Sequence, residues 1–536
     1  MPVQTTYPGV YIEEIPSGVR TLTGVATSIT AFIGRALSGP VNEPTIVNSF
    51  SDYERSFGGL WIPSTMSYAV RDFFSNGGSQ AIIVRVFNET GTDPGIAQFV
   101  LQTSIASPVD GPFTLVATSP GAWANNLLVT IDYNTQDPTA PPASPVSPTV
   151  NDPFNLTIFM QNSDGSQPTI KEKYLGVSMN ANDVLYLPRV LQQQSALLNV
   201  EKNGLGNWIV GGRPVPVDKK TPQPGNDGDV LTFQDYEGDE GEKTGMYALI
   251  KADLFNILCI PPAERGRDTA ATTYQKAMKL CVDKRAMLLV DPPLAWGNSP
   301  ATATANALAG LSSLGLSGTY ARNAALYFPC VIEADPLRNN QTDTFVPSGI
   351  VAGIMSRTDS TRGVWKSPAG IDAALNGVQG LQVSLTDAEN GQMNQLGINN
   401  LRTFPLAGSV VWGARTLRGA DQFGDDYKYV AVRRTALFLE ESLYRGTKWV
   451  VFEPNDEALW AQIRLNIGAF MQNLFRQGAF QGTTPKQAYL VKCDSETTTQ
   501  NDINNGVVNI LVGFAPLKPA EFVIIQIQQL AGQIDV

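Results

Sequence analysis

The sequence predicts a multidomain protein of the α/β and α+β classes: a discontinuous α/β middle domain, a β-rich insertion, an α+β C-terminal domain and a short strand at each end. Three observations predict it. Apolar strand runs alternate with helical patterns over residues 19–90 and again over 246–370. The intervening stretch loses that alternation and gains prolines and acids. Each end carries an isolated apolar run set off by Pro or Gly. At 536 residues, 43% of them hydrophobic and 9% aromatic, the chain is globular and long enough for several domains.

Residues 1–18 read as an N-terminal extension. Tyr7-Pro8-Gly9 signals a turn, Val10-Tyr11-Ile12 is a short β run, and Pro16-Ser17-Gly18 breaks it. A strand this short between breakers needs an acceptor sheet elsewhere. In 19–90, Ser28 to Gly34 and Ala81 to Val86 are apolar strands. Between them, Ser51 to Phe57 opens with Ser51 as N-cap and Glu54 three residues on, a capping-box pattern. Ser67 to Ser75 is a second helix, stopped by Asn76-Gly77-Gly78.

Residues 91–245 read as an inserted β-rich domain. Short apolar runs, Leu127 to Ile131 and Phe154 to Met160, sit among two long loops. Asp137 to Pro153 holds six prolines, and Asp218 to Lys243 has eight acids against three lysines. Over 246–370 the α/β pattern returns. Phe255 to Ile260, Ala286 to Asp291 and Ala324 to Ile332 are strands, separated by helices at Thr269 to Lys284 and Ala301 to Leu314. Strands joined through helices imply right-handed crossovers and a mostly parallel sheet covered on both faces. With 19–90 this makes one discontinuous domain.

Residues 371–515 form the last domain. Val430 to Arg445 has helical spacing at Val432, Ala436, Leu439 and Leu443, with Gly446 as stop, and Lys448 to Phe452 reads as a strand. Asn455 is the expected cap of a long helix, with Asp456 and Glu457 in its first turn. Leu459, Trp460, Ile463, Ile467, Phe470, Met471, Leu474 and Phe475 make its apolar stripe, with Gln462, Arg464, Asn466, Asn473 and Arg476 opposite. Residues 516–536 close the chain as a C-terminal extension. After Pro516 and Pro519, the run Glu521 to Leu530 is the strongest strand signal in the protein, apolar on both faces at first.

Composition excludes several function classes. Histidine is absent, which removes His-dependent nucleophile systems and every His-ligated metal site. The net charge of −11 argues against a nucleic-acid partner. Cys259, Cys281, Cys330 and Cys493 lie far apart and read as reduced core cysteines. Asp239 to Gly245 resembles a phosphate loop superficially, but Glu242 stands where glycine is needed before the lysine. Asn226 to Asp229 lacks the later Glu of a calcium loop. Glu440-Glu441 reads as a solvated pair. No catalytic residue, cofactor or metal is expected. No secretion signal and no run of roughly 18 apolar residues is visible, so membrane insertion is not expected.

The two ends remain. An unpaired strand leaves its N–H and C=O groups without ladder partners. About four ladder bonds and three buried side chains give on the order of 6–15 kcal/mol per strand before entropy costs. Composition leaves open whether each strand folds back on its own body or completes the sheet of a neighbour.

Several segments carry a resemblance. Tyr7 to Ile15 (YPGVYIEEI), Gly24 to Gly39, Phe50 to Gly59, Asn394 to Leu417 (NQLGINNLRTFPLAGSVVWGARTL), Tyr429 to Leu443, Trp449 to Asn455, Gly478 to Gly482, Ala488 to Asp494 and Ala515 to Phe522 (APLKPAEF) resemble, in order, contractile tail sheath proteins of phages, tailocins and extracellular injection systems. The resemblance covers about 1–90 and 245–530. It implies a structural subunit that stacks as hexameric rings around an inner tube and contracts to drive the tube through a target envelope. It implies that the insertion faces outward and the C-terminal domain inward. It further implies that Val10, Tyr11, Ile12 and Glu13, and Phe522, Val523, Ile524, Ile525 and Ile527, are donor strands exchanged between subunits. Arg464, Arg476 and Gln477 are the candidate tube-facing residues; the alternative is an ordinary helix with its stripe in the domain core. The implied partners are further copies of the chain, the inner tube protein, and baseplate and tail terminator or cap proteins. Assembly in a bacterial cytoplasm and presence in a virion tail or released particle follow as expectations. The rival classes are a strand-swapped capsid-like or surface-layer protein, and an enzyme with a ligand pocket at the strand ends of a doubly wound domain.

Overall fold

A computed structural model describes residues 22–103, 113–135, 152–162 and 165–527. The chain begins with β1 (Thr30–Gly34), β2 (Thr45–Val47), α1 (Phe50–Phe57), α2 (Met66–Ser75) and β3 (Ala81–Arg85). The inserted stretch follows as β4 (Gln98–Leu101), β5 (Phe113–Ala117), β6 (Leu127–Asp132), β7 (Phe154–Met160), β8 (Thr169–Val177), α3 (Leu187–Gln194), β9 (Leu198–Val200) and β10 (Val217–Lys220). The chain returns through α4 (Phe233–Glu237), β11 (Ile257–Cys259), α5 (Ala271–Asp283), β12 (Met287–Val290), α6 (Ala303–Gly310) and β13 (Ala324–Phe328). Then come β14 (Val331–Asp335), β15 (Gln341–Phe345), α7 (Ser348–Arg362), β16 (Gly380–Leu381), α8 (Asp387–Asn394), β17 (Ile398–Phe404) and β18 (Gly408–Val411). The last part holds α9 (Val430–Gly446), α10 (Glu457–Arg476), α11 (Pro485–Ala488), β19 (Tyr489–Lys492), α12 (Gln500–Asn504) and β20 (Leu511–Phe514).

The main sheet has eight strands in the order β18-β17-β13-β12-β11-β1-β3-β2. Its edge strands β18 and β2 run antiparallel to their neighbours, and every pairing between β17 and β3 is parallel. β1, β3, β12 and β13 are buried along their whole length. That follows from helices on both faces of a parallel sheet, as their unbroken apolar runs predict. Alternate residues serve the two faces: Ile33, Val84, Leu258, Leu288 and Leu326 pack with α5 and α6. Phe32, Ile83, Cys259, Leu289 and Tyr327 pack with α1, α2 and α7. The four cysteines are free and buried.

The inserted stretch builds two sheets, ordered β10-β6-β7-β8 and β4-β5-β9, around its own core of residues such as Phe99, Leu115, Val129, Phe154 and Leu191. That core draws no buried residue from beyond Val200, with Val217 packed at its margin. Leu231 and Tyr236 pack instead against the main sheet. The expected acidic loop is therefore largely structured. It carries β10 and α4, and Asp227 Oδ1 accepts from Ala122 N at 2.7 Å. Most of the proline-rich loop, 137–153, falls outside the described residues.

Other expectations are corrected. The expected strand over 324–332 splits, because Pro329 lacks a ladder donor and the chain leaves for a three-stranded sheet ordered β15-β14-β16. The main sheet runs on past residue 370 through β17, whose Ile398 pairs with Leu326. The cap of α1 is Ser49, whose hydroxyl accepts from Asp52 N at 3.1 Å, two residues ahead of the expected Ser51. Lys448 to Phe452 is no strand: Val450 N bonds back to Thr447 O and Glu453 N to Val450 O, closing tight turns straight after α9. Glu441 is buried, paired with Arg285 at 2.9 Å and Arg445 at 2.6 Å, because α9 presses against the body.

Candidate assembly surface at the C-terminal arm

The described chain enters at Leu22, which packs against Leu439 and the other apolar residues of α9 and α10. Thr27 Oγ1 donates to Asp359 at 2.6 Å, and Val25 N to Ser442 Oγ at 3.2 Å. Val10, Tyr11, Ile12 and Glu13 lie outside the described residues. At the other end, β20 gives way to Ala515, whose N–H donates to Ala488 O at 2.8 Å. Pro516 bridges Phe480, and from Leu517 the chain runs to Glu521 without regular structure.

Phe522, Val523, Ile524, Ile525 and Ile527 then stand out into solvent, 74%, 79%, 85%, 79% and 92% exposed. Among the described residues they belong to no strand. Five consecutive or near-consecutive large apolar side chains in water forfeit roughly 1.5–3 kcal/mol each relative to burial. A monomeric surface rarely keeps such a patch without a partner.

The arm is tied down immediately before that run. Arg415, on the segment after β18, is fully buried and grips Glu521 with two parallel bonds, Nε to Oε1 at 2.6 Å and Nη2 to Oε2 at 2.7 Å. Asn394 Nδ2 and Tyr429 OH also donate to this carboxylate, at 3.2 and 3.1 Å. Arg415 is itself held. Its Nη1 donates to Asn394 O at 2.8 Å and Asp421 Oδ1 at 3.0 Å, and its backbone exchanges bonds with the Asn399 side chain on β17. Burial alone would raise the Glu521 carboxyl, but the Arg415 hydrogen bonds and charge outweigh it and hold it below the ordinary value. Burial and the Glu521 charge push the Tyr429 hydroxyl up to about 12, so it stays a donor.

Beside the arm lies the two-stranded ribbon β19–β20, with Tyr489 opposite Phe514 and Lys492 opposite Leu511. Among the described residues neither strand has a second ladder neighbour. Leu490 and Leu511 are about half exposed, at 51% and 52%. Tyr489 OH anchors the ribbon to α10 through Gln472 at 2.8 Å. A cavity of about 690 Å³ opens at the arm's root, lined by Trp365, Trp412, Tyr429, Gln477, Pro519 and Phe522.

The helix α10 buries Leu459, Trp460, Ile463, Ile467, Phe470, Met471 and Leu474 as expected. Asn466, expected on the outer side, is buried too. The cap is Asp456, which accepts from Leu459 N at 3.0 Å, rather than Asn455. Asn455 instead accepts from Trp460 Nε1 and donates to Val507 O, both at 2.9 Å. Of the candidate tube-facing residues, Arg464 is committed to Cys493 O and to Glu457 at 2.6 Å. Arg476 and Gln477 are exposed at the helix end, where Gln477 also lines the cavity.

At the carboxyl ends of the parallel strands, where a doubly wound enzyme would bind its ligand, polar side chains bond to neighbouring protein groups. Asp291, just past β12, accepts from Ser348 N at 2.9 Å and Ser348 Oγ at 2.8 Å at the start of α7. Thr65 Oγ1 donates to Pro262 O nearby, at 2.5 Å. The Asp239 to Gly245 turn bonds to itself, Asp239 N to Thr244 Oγ1 at 2.9 Å. Among the described residues no group of three acids or cysteines is placed to hold a metal, and no helix is long and apolar enough to cross a membrane.

Comparison with known proteins points one way. Residues 423–529, from just before α9 through the arm, match the phage tail sheath C-terminal domain. The tail sheath protein of Vibrio phage KVP40 is 29% identical over 188 residues, 34% of this chain and 26% of that protein. That of Burkholderia phage BcepMu is 26% identical over 257 residues, 45% of this chain and 50% of that protein. The chain thus spans between a quarter and a half of those two relatives' length. The sheath of an extracellular contractile injection system, solved in its contracted state, has a similar fold: TM-score 0.56, 20% identity, 98% of both chains covered. A sheath tail protein from Desulfitobacterium hafniense matches at TM-score 0.56 and 13% identity, covering 95% of this chain and 100% of that one. The matched domain, the phage relatives and the end-to-end likeness of fold agree with the segments singled out from sequence: residues 423–529 form a phage tail sheath C-terminal domain, and the chain as a whole is similar to tail sheath proteins.

Proposed function

We propose that this chain is a structural subunit of a contractile sheath, non-catalytic, that polymerises with itself as stacked hexameric rings around an inner tube. Contraction then drives that tube through a target envelope. The observation that carries the reading is the exposed run Phe522 to Ile527, fixed at its root and adjacent to a ribbon with two open edges. Added strands gain backbone bonds and bury the run, the mode by which extended segments augment a sheet edge. The C-terminal arm of one copy and Val10 to Glu13 of another would complete ribbons of neighbouring copies, and a lattice so tied can change shape without dissociating.

In this reading 19–90 with 246–370 is the middle domain, extended by β17 and β18 at the edge of its sheet, 91–245 is the outer insertion, whose last residues return to that sheet, and the rest of 371–515 is the inner domain. Residues 1–18 and 516–536 are the exchanged extensions. Arg476 and Gln477, free at the end of α10, are better placed to touch the tube than Arg464, whose guanidinium is engaged. Weak polar contacts there suit a joint that must release. The further partners are the tube, baseplate and terminator proteins, with assembly in a bacterial cytoplasm before delivery in a virion or released particle. No step calls for a nucleotide or nucleic acid.

Deletion of 1–18, and separately of 522–536, is expected to leave a folded monomer with wild-type circular dichroism that forms no tubes in negative-stain microscopy. Tubes of normal length from both variants would refute strand exchange.

A further inference from the structure

We infer that Arg415, steadied by Asn394 and Tyr429, is the positioning residue of the C-terminal arm: by gripping Glu521 it sets the point at which the arm leaves the body and so the register in which the arm pairs. This rests on the exchange reading above. The need for such a device comes from the arm itself. A strand's register is normally set by its apolar pattern, since a one-residue slip exchanges its two faces. Here Phe522, Val523, Ile524 and Ile525 are all large and apolar. A slipped arm therefore still buries apolar groups on either face, and its sequence discriminates poorly between registers.

The tether cannot supply the register either. Between Phe514 and Glu521 the backbone pairing among the described residues ends at the isolated bridge of Pro516 with Phe480. Were Glu521 free, residues 517–521 would add up to about 17 Å of slack at roughly 3.3–3.6 Å per residue. Longer slack lowers the effective concentration of the arm and admits more registers. The clamp removes that slack. Its bidentate geometry fixes direction as well as distance. Arg415 is rigid because β17 holds its backbone through Asn399, and Asp421 and Asn394 O hold its Nη1. The contact joins residues 106 apart in sequence and sits one residue ahead of the exposed run.

Two single-glycine insertions separate this proposal from its alternatives without touching the clamp residues. Placed between Leu517 and Lys518, upstream of the clamp, the extra residue should be absorbed, and tube yield should stay within about twofold of wild type. Placed between Glu521 and Phe522, it shifts the whole arm by one position and should cut ordered tubes about tenfold or more. Equal effects at both places would overturn the proposal. Alongside, Glu521→Gln should leave the monomer's melting temperature within a few degrees of wild type while a spin label at Ile527→Cys gains mobility; the native cysteines are all buried, so labelling is selective. Unchanged label mobility would also overturn it. If neither insertion affects assembly while deletion of 522–536 abolishes it, the clamp fails and exchange stands. If that deletion also leaves tubes intact, exchange itself fails.

Discussion

At the residue scale, a half-buried acid and a buried one carry opposite pH signatures. Glu521 is held below the usual carboxylate value, because Arg415 outweighs the cost of burial. A depressed acid contributes stability that is present above the unfolded value and lost as pH falls through the folded one. The clamp should therefore persist through neutral and mildly acid solution and fail only below the ordinary carboxylate range. Asp291 behaves the other way. Burial pushes it up to about 7, and its partners are neutral: the Ser348 hydroxyl and amide, while its own N–H donates to the Tyr274 hydroxyl. The Cys259 and Cys330 thiols close by are themselves raised by burial, so no cation offsets the carboxylate. Unfolding lets this group ionise, so stability falls as pH rises from about 4 to about 7. The full difference is roughly 4 kcal/mol at about 1.4 kcal/mol per unit. Asp291→Asn keeps an acceptor for Ser348 N and should flatten that part of the profile, melting higher than wild type at pH 8 and nearly alike at pH 4. A variant less stable than wild type at pH 8 would show that the charged form is the one the fold needs. Glu333, pushed up to about 9 by burial and by Asp72 beside it, should leave the same residual slope from pH 4.5 to about 9 in both proteins.

At the element scale, α10 is the 20-residue helix on which the arm region rests, and its first turn tests the corrected cap. Asp456→Ala removes the side chain that accepts from Leu459 N and should cost about 1 kcal/mol in urea unfolding, whereas Asp456→Asn should retain most of it. No difference between the two would show that the cap contributes nothing. This helix also shows where sequence reading succeeds and stops. Its stripe was legible because eight apolar positions at helical spacing admit few other arrangements. Its cap was not, because Asn455 and Asp456 are both good cap formers and the choice depends on Trp460 and Val507 claiming Asn455. Strand β17 escaped notice because Asn399 and Asn400 interrupt its apolar run; both are buried, Asn399 serving as a bridge to Leu326 O and Arg415. Lys448 to Phe452 shows the converse error. Its strand-like composition loses to the tight turns that follow α9, leaving Phe452 fully exposed at φ +70°. The arm was readable from Phe522 to Ile527 alone. Its anchor was not, since nothing local to Glu521 announces a guanidinium brought from 106 residues away.

At the scale of the whole molecule, the question is whether the inserted stretch helps to hold the body together or is carried by it. Its core shares no buried residue with the clusters on the two faces of the main sheet. Its two ends meet at a neck, where Gln98 N donates to Gln223 O at 3.0 Å and Asn226 N to Gly95 O at 3.2 Å. Six bonds among the described residues cross from insertion to body: Arg85 Nη2 to Pro120 O at 2.8 Å, Gly39 N to Ser119 Oγ at 3.0 Å, Ala122 N to Asp227 at 2.7 Å, Gly121 N to Gly95 O at 2.9 Å, Asn125 Nδ2 to Gly225 O at 3.0 Å and Gly225 N to Asn125 Oδ1 at 2.7 Å. Arg85 keeps two other acceptors in the body, Ala36 O at 3.0 Å and Gly39 O at 2.7 Å, so it is not stranded by their loss. Replacing residues 97–223 with a short Gly-Ser linker should therefore cost about 3–9 kcal/mol for the severed bonds and leave the eight-stranded sheet folded. The arm, its clamp and the ribbon all lie elsewhere in the chain, between Asn394 and Ile527. The shortened protein should accordingly still polymerise, into tubes narrower than wild type by the missing outer layer but with the same axial repeat in diffraction from electron micrographs. A shortened chain that aggregates on expression would make the insertion part of the folding unit. One that folds but forms tubes of altered repeat would place lattice contacts on the insertion, and the two arms would then not be sufficient to set the lattice.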